Sequence, residues 1–148
     1  MTTIVFSRKH GVMAGDSQLT YGTTREMSMR KVFRRAKDGA LIGVAGTASL
    51  ATRIVDWFMN DEEYGDRPGF GVEGREAQAI LVRPDGNVEF HDLFGYHVVE
   101  GDFFVAGTGA DVALGALEMG ATPQQAVRIA CKYDTKTGGK VRWVKLKK

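Results

Sequence analysis

Cysteine is almost missing from this chain. Cys131 stands alone among 148 residues, so no internal disulfide can form and no thiolate zinc cluster is available. It lies in a helical stretch with Val127, Ile129 and Ala130 and reads as a buried structural thiol rather than a reactive one. Histidine is scarce as well, and His10, His91 and His97 lack ligand spacing, so no metal site is expected. No run approaches the ~18 apolar residues that a membrane span needs. The first residues lack a charged region followed by an apolar one, so no signal peptide is read there, and a reducing cytoplasmic compartment is the expectation. A net charge of +2 is too small to point to nucleic acid by itself.

What is present is an ordinary soluble composition, 43% hydrophobic and 26% charged, in a chain sized for one domain over residues 1–148. Nineteen glycines exceed average usage and suggest many tight turns. Residues 2–8 and 11–18 read as a hairpin around Lys9-His10-Gly11. After a loop over 20–24, MSMRKVFRR and ALIGVAG read as a second strand pair broken at Lys37-Asp38-Gly39. TASLATRIVDWFM changes to helical periodicity, with Leu50, Ile54, Trp57 and Phe58 on one stripe. The polar stretch 60–76, with four glycines and a proline, reads as a long exposed loop.

AQAILVR and NVEFHDLF flank the turn Pro84-Asp85-Gly86, and FFVAG is a further strand. ADVALGALEMG reads as a helix closed by Gly120. Thr122-Pro123-Gln124-Gln125 is a capping box opening a helix to about Tyr133, with Ala126, Ile129, Ala130 and Tyr133 on one face. KVRWVKLK follows as a last strand. Helices come in groups instead of alternating with single strands. That argues against a doubly wound parallel sheet and for two antiparallel sheets with helices outside.

Some charges stand in unusual places. Strand alternation puts Lys31 with Met29 and Phe33, and Asp16 with Val12 and Ala14. Inward charges of this kind need partners, although a lysine at a sheet edge can also snorkel. Gly107 and Gly109 sit between a strand and a helix, as in a dinucleotide fingerprint, but the third glycine position holds Val112 and no βαβ unit follows. Arg25, Arg30, Arg34, Arg35 and Lys37, with the basic C-terminal stretch, read as a solvated sheet face rather than a nucleic-acid surface.

Thr2 raises a different chemistry. A threonine hydroxyl is a poor nucleophile unless a base adjoins it, and the chain's own α-amine, freed by removal of Met1, would be such a base. Its ordinary pKa near ~7.7–8.0 leaves a useful neutral fraction, and a nearby lysine would depress it further. Thr3 faces away by alternation and reads as a strand former only.

TTIV, AGDSQLTYG, RKVFRR, GVAGTAS, VAGTGADVALGAL and YDTKTGG occur in an order that resembles the proteasome β-subunit and HslV-like peptidase family, the threonine branch of the N-terminal nucleophile hydrolases. The resemblance spans nearly the whole chain except residues 60–76. It implies a four-layer αββα sandwich, shortened by the loss of one helix of the pair that follows GVAGTAS. It also implies a threonine endopeptidase that needs no cofactor. Thr2 takes the nucleophile position, Asp16 and Lys31 the charged pair beside it, and Gly46 the oxyanion position. Thr108 falls where the family often has Ser in its Gly-Ser-Gly turn, and Asp134 and Thr137 match the Asp and Ser of the later Asp-x-x-Ser-Gly-Gly motif, so Thr replaces Ser at both 108 and 137. Thr20, Met29, Phe33 and Val44 are implied to bind substrate. Partners implied are polypeptide substrates, further copies in a homo-oligomeric ring and an ATP-dependent unfoldase, with no nucleic acid and no membrane. Two other readings stay open on the residues alone: a non-catalytic ring or scaffold subunit that retains Met1, and an amidohydrolase acting on small molecules.

Overall fold

In the computed structural model, residues 2–21, 24–62 and 67–146 are described. β1 (Thr3–Ser7) and β2 (Val12–Gly15) form the expected first hairpin, with Ile4 opposite Gly15. The chain then leaves that sheet sooner than its pattern predicts. Residues 16–17 break away and β3 (Gln18–Tyr21) pairs with β4 (Thr24–Ser28) in a separate two-stranded sheet. The expected loop over 20–24 is therefore mostly strand, with 22–23 outside the described residues.

MSMRKVFRR is likewise not one strand. The Met29 N–H donates to the Ser17 carbonyl, residues 29–31 leave the extended ladder, and β5 covers only Val32–Arg34. β5 pairs with β6 (Leu41–Gly46) across the predicted turn. β8 (Arg75–Val82) and β9 (Val88–Asp92) flank the turn at 84–86. β10 (Gly95–Val99), which the sequence reading missed, completes that side. β11 (Phe103–Gly107), α2 (Ala110–Glu118), α3 (Pro123–Tyr133) and β12 (Arg142–Lys145) follow.

Two main sheets result, in the orders β11-β1-β2-β12 and β10-β9-β8-β6-β5, with every pairing antiparallel. Alternation along the strands sorts the core into layers. Ile4, Phe6 and Met13 meet Leu41, Ile80, Val82 and Val88 between the sheets. Val5 and Ala14 point the other way, onto Ala113 and Leu117 of α2 and Ala126, Val127 and Ala130 of α3. On the far side, Ile42, Val44, Ala79 and Leu81 pack against α1 (Ala48–Asp56). This is the expected αββα sandwich. All of β1 is buried because it is a central strand covered on both faces.

Details of the helical faces differ from the reading. In α1 the fully buried stripe is Ala51, Ile54, Val55 and, on a π-helical turn over Trp57–Asp61, Phe58; Leu50 and Trp57 lie at its margin. In α3 the buried residues are Pro123, Ala126, Val127 and Ala130, while Ile129 and Tyr133 are 39% and 66% exposed. The stretch 60–76 is less open than expected. Phe70 is buried and β7 (Gly71–Val72) pairs with Arg75–Glu76, while 63–66 lie outside the described residues. Among the described residues α1 and its π-helical turn are the only helix on that face.

Candidate active site

The N-terminal end of β1 places Thr2 where two loops and a sheet edge converge. Thr2 is 2% exposed, and its Oγ1 accepts a hydrogen bond from Lys31 Nζ at 2.9 Å. The irregular backbone at 29–31 is what turns Lys31 inward. Its Nζ also lies 3.1 Å from both carboxylate oxygens of Asp16, and both side chains are buried. Asp16 is held in turn by backbone N–H groups: Thr3 donates to Oδ1, and Gln18 and Gly138 donate to Oδ2. A buried carboxylate with this many donors is satisfied despite its burial. Burial pushes the Lys31 ammonium below the ordinary lysine range, and Asp16 opposes that shift.

A second polar group approaches from the opposite side. Thr108, just beyond β11, has its Oγ1 3.5 Å from the Thr2 nitrogen. It donates to Asp134 Oδ2 at 2.6 Å, and Thr137 donates to the same oxygen at 2.5 Å. Burial pushes the Asp134 carboxyl up, but the Thr108 and Thr137 hydroxyls, the Lys136 N–H and the charge of the chain's α-amine together hold the group below its usual range.

Thr2 and Lys31 line a cavity of about 340 Å³, with Gln18, Leu19 and Thr20 on one wall and Met29 and Val44–Ala48 among the residues on the other. Gly46 lies in that wall at φ +105°, where a Cβ would stand 2.3 Å from the Glu76 carbonyl oxygen. Only glycine permits the chain to pass there. Of the four residues expected to bind substrate, Thr20, Met29 and Val44 border this cavity. Phe33 does not. It borders an adjoining apolar hollow of about 220 Å³, which Met29, Val44 and Ala51 share with the first. Phe33 instead packs on the α1 side of its sheet, against the cluster that holds Ile42, Val44 and Val55.

No family model and no curated protein matches the sequence. Solved structures do. BPH of Thiobacillus denitrificans in complex with epoxomicin matches with a TM-score of 0.72 at 16% identity, covering 99% of this chain and 100% of that one. A second BPH structure gives 0.68 at 16% identity over 99% and 98% of the two chains. Eukaryotic HslV from Trypanosoma brucei gives 0.69 at 21% identity over 97% and 99%. This chain has the HslV fold.

Within that HslV-type sandwich, Thr2, Asp16, Lys31, Gly46, Thr108, Asp134 and Thr137 are brought into one neighbourhood, from six separate stretches of sequence. Met1 lies outside the described residues. Sequence reasoning missed Thr3, whose buried hydroxyl lies 2.8 Å from Thr137 Oγ1. It also missed Gln18, which borders the cavity and donates to Thr20 Oγ1. Neither has a periodic signal. Both owe their position to the 137–139 loop folding back across the start of β1. Among the described residues, no group of three or more His, Cys, Asp or Glu could hold a metal, and no helix is long and apolar enough to cross a membrane.

Proposed function

We propose that this protein is a threonine-type peptidase of the proteasome and HslV-like family, with Thr2 as its N-terminal nucleophile once Met1 is removed. The observation that carries the reading is the buried Thr2 hydroxyl, hydrogen-bonded to Lys31 at 2.9 Å and opening onto a cavity beside Gly46.

The neutral α-amine of Thr2 takes the Oγ proton, directly or through a water, and the oxygen attacks the substrate carbonyl carbon. The Gly46 N–H stabilises the charge that develops on the carbonyl oxygen. The amine then passes its proton to the leaving nitrogen, the peptide C–N bond breaks, and an ester to Thr2 remains. Water hydrolyses that ester by the same route in reverse. Lys31 biases both Thr2 groups toward their deprotonated forms by its charge, and Asp16 keeps it aimed. Thr108, Asp134 and Thr137 orient the Thr2 nitrogen from the other side. Thr20, Met29 and Val44 contact the substrate side chain, with Phe33 behind them. The protein acts on polypeptides as a homo-oligomeric ring in the cytoplasm, served by an ATP-dependent unfoldase, as the likeness to HslV suggests.

Intact mass and epoxomicin, the compound bound to BPH, test the reading together. Loss of Met1 and a covalent adduct that disappears in Thr2→Ala are expected. A fully retained Met1 with no adduct would refute it and leave a non-catalytic subunit of the same fold.

A further inference from the structure

Thr3 has no exposed surface, and its hydroxyl serves no strand hydrogen bond. The direction of the bonds around it is fixed by counting protons. Thr137 Oγ1 spends its single proton on Asp134 Oδ2 at 2.5 Å. At the 2.8 Å contact between Thr3 Oγ1 and Thr137 Oγ1, the donor is therefore Thr3. Thr108 Oγ1 spends its own proton on the same carboxylate oxygen at 2.6 Å, which leaves a lone pair turned to the Thr2 nitrogen. Two lines of donation therefore converge on one carboxylate oxygen: Thr3 to Thr137 to Asp134 from one end, and Thr108 to Asp134 from the other. The two lines close on each other, because Thr3 and Thr2 are joined by one peptide bond.

The fold makes room for this hydroxyl. A Cβ on Gly109 would stand 1.9 Å from Thr3 Oγ1, so the glycine after Thr108 is the seat of the Thr3 side chain. The Thr3 N–H, meanwhile, donates to Asp16 Oδ1. One residue thus ties the Asp16–Lys31 pair to the Thr108–Asp134–Thr137 cluster.

We propose that Thr3 is a positioning residue of the site: its hydroxyl, donated to Thr137, aims the Thr137 proton at Asp134 and so helps keep ionised the carboxylate on which Thr108, the acceptor facing the Thr2 nitrogen, spends its own proton. This rests on the peptidase reading for its catalytic consequence, but not for its geometry. Without the Thr3 donor, the buried Thr137 Oγ1 loses a bond it accepts, its own O–H is less polarised, and its hold on the ionised Asp134 weakens. Besides the Thr108 and Thr137 hydroxyls, Asp134 accepts from the Lys136 N–H at 3.4 Å, feels the charge of the chain's α-amine, and lies three residues beyond the Cys131 thiol, whose ionisation it opposes. None of these replaces a hydroxyl proton at Oδ2.

Thr3→Val removes the hydroxyl and keeps the shape. It is expected to lower kcat for a peptide substrate about tenfold, the loss that one hydrogen bond of ordinary net strength carries. KM should change little, and the acid limb of the pH profile should move to higher pH. Thr3→Ser is expected to retain the wild-type values of all three. Because a methyl crowds Gly109 where Oγ1 stood, Thr3→Ala gives the same comparison without added bulk. A Thr3→Ala profile that overlies the wild type, or equal losses in Thr3→Ala and Thr3→Ser, would overturn the proposal. The Asp134 carboxyl, followed by carbon NMR in a Thr2→Ala background, asks the same question without activity. An upward shift in Thr3→Ala but not in Thr3→Ser supports the proposal, and a carboxyl unmoved in both overturns it. Should the wild type hydrolyse nothing while Asp134 shifts as expected, the peptidase reading fails and the positioning role stands.

Discussion

Lys31→Met tests the site's central electrostatic element. The substitution leaves the Asp16 carboxylate fully buried without its cation, although three backbone N–H donors remain on it. Breaking a buried pair typically costs about 3–5 kcal/mol, and the remaining donors put this case near the lower end, at about 3 kcal/mol. For a domain of this size that is a fall in Tm of roughly 6–12 °C. Asp16→Asn is expected to cost at least as much, because both carboxylate oxygens already accept backbone N–H groups. Either orientation of the amide sets its NH2 against one of them. Lys31→Met combined with Asp16→Asn removes both unpaired charges, so the double variant should be more stable than the sum of the single losses predicts, by about 2 kcal/mol. Urea unfolding followed by fluorescence of Trp57 and Trp143 measures all three. Single losses that add to within about 0.5 kcal/mol would show that the two groups do not act as a pair and would refute the reasoning.

Gly46→Ala places a Cβ against the Glu76 carbonyl at a backbone angle that alanine avoids, so peptidase activity should be lost and stability should fall by roughly 1–3 kcal/mol, read from the same unfolding curves. Met29→Ala opens the partition between the 340 Å³ cavity and the hollow beside Phe33; turnover of peptides with a large aromatic side chain should rise relative to leucine, and an unchanged ratio would remove Met29 from specificity. Hydrogen bonds from Arg35 lower the Asp38 carboxyl from 3.8 to about 2. A depressed carboxylate stabilises the fold above its unfolded pKa and ceases to do so as pH falls through the folded one. Asp38→Asn should therefore be less stable than the wild type at neutral pH, by no more than about 1 kcal/mol given its exposure, and the two proteins should converge between pH 3.8 and about 2.

Turn chemistry made much of the fold legible. Lys9–Gly11, Lys37–Gly39 and Pro84–Gly86 each joined the strands they were read to join. The capping box is present in both directions, Gln125 N–H to Thr122 Oγ1 and Thr122 N–H to Gln125 Oε1. β10 escaped notice because Tyr96, His97 and Val98 are all exposed, so no alternation marks it. The inward placement of Lys31 and Asp16 agreed with strand parity for a different reason. Neither lies in a strand, and it is the break in each ladder that lets them meet. Thr3 was read as a strand former alone because its partner, Thr137, is 134 residues away, a distance at which periodicity carries no information.

β1 is flanked by β11 and β2 and covered on both faces. Thr2 therefore hangs from a strand that cannot loosen without dissolving two ladders and two cores at once. Amides of Ile4, Val5 and Phe6 should exchange with solvent only as fast as the whole domain opens. On the proposed reading, the lifetime of the nucleophile and the lifetime of the fold are one quantity, and heat that disables the first has already destroyed the second.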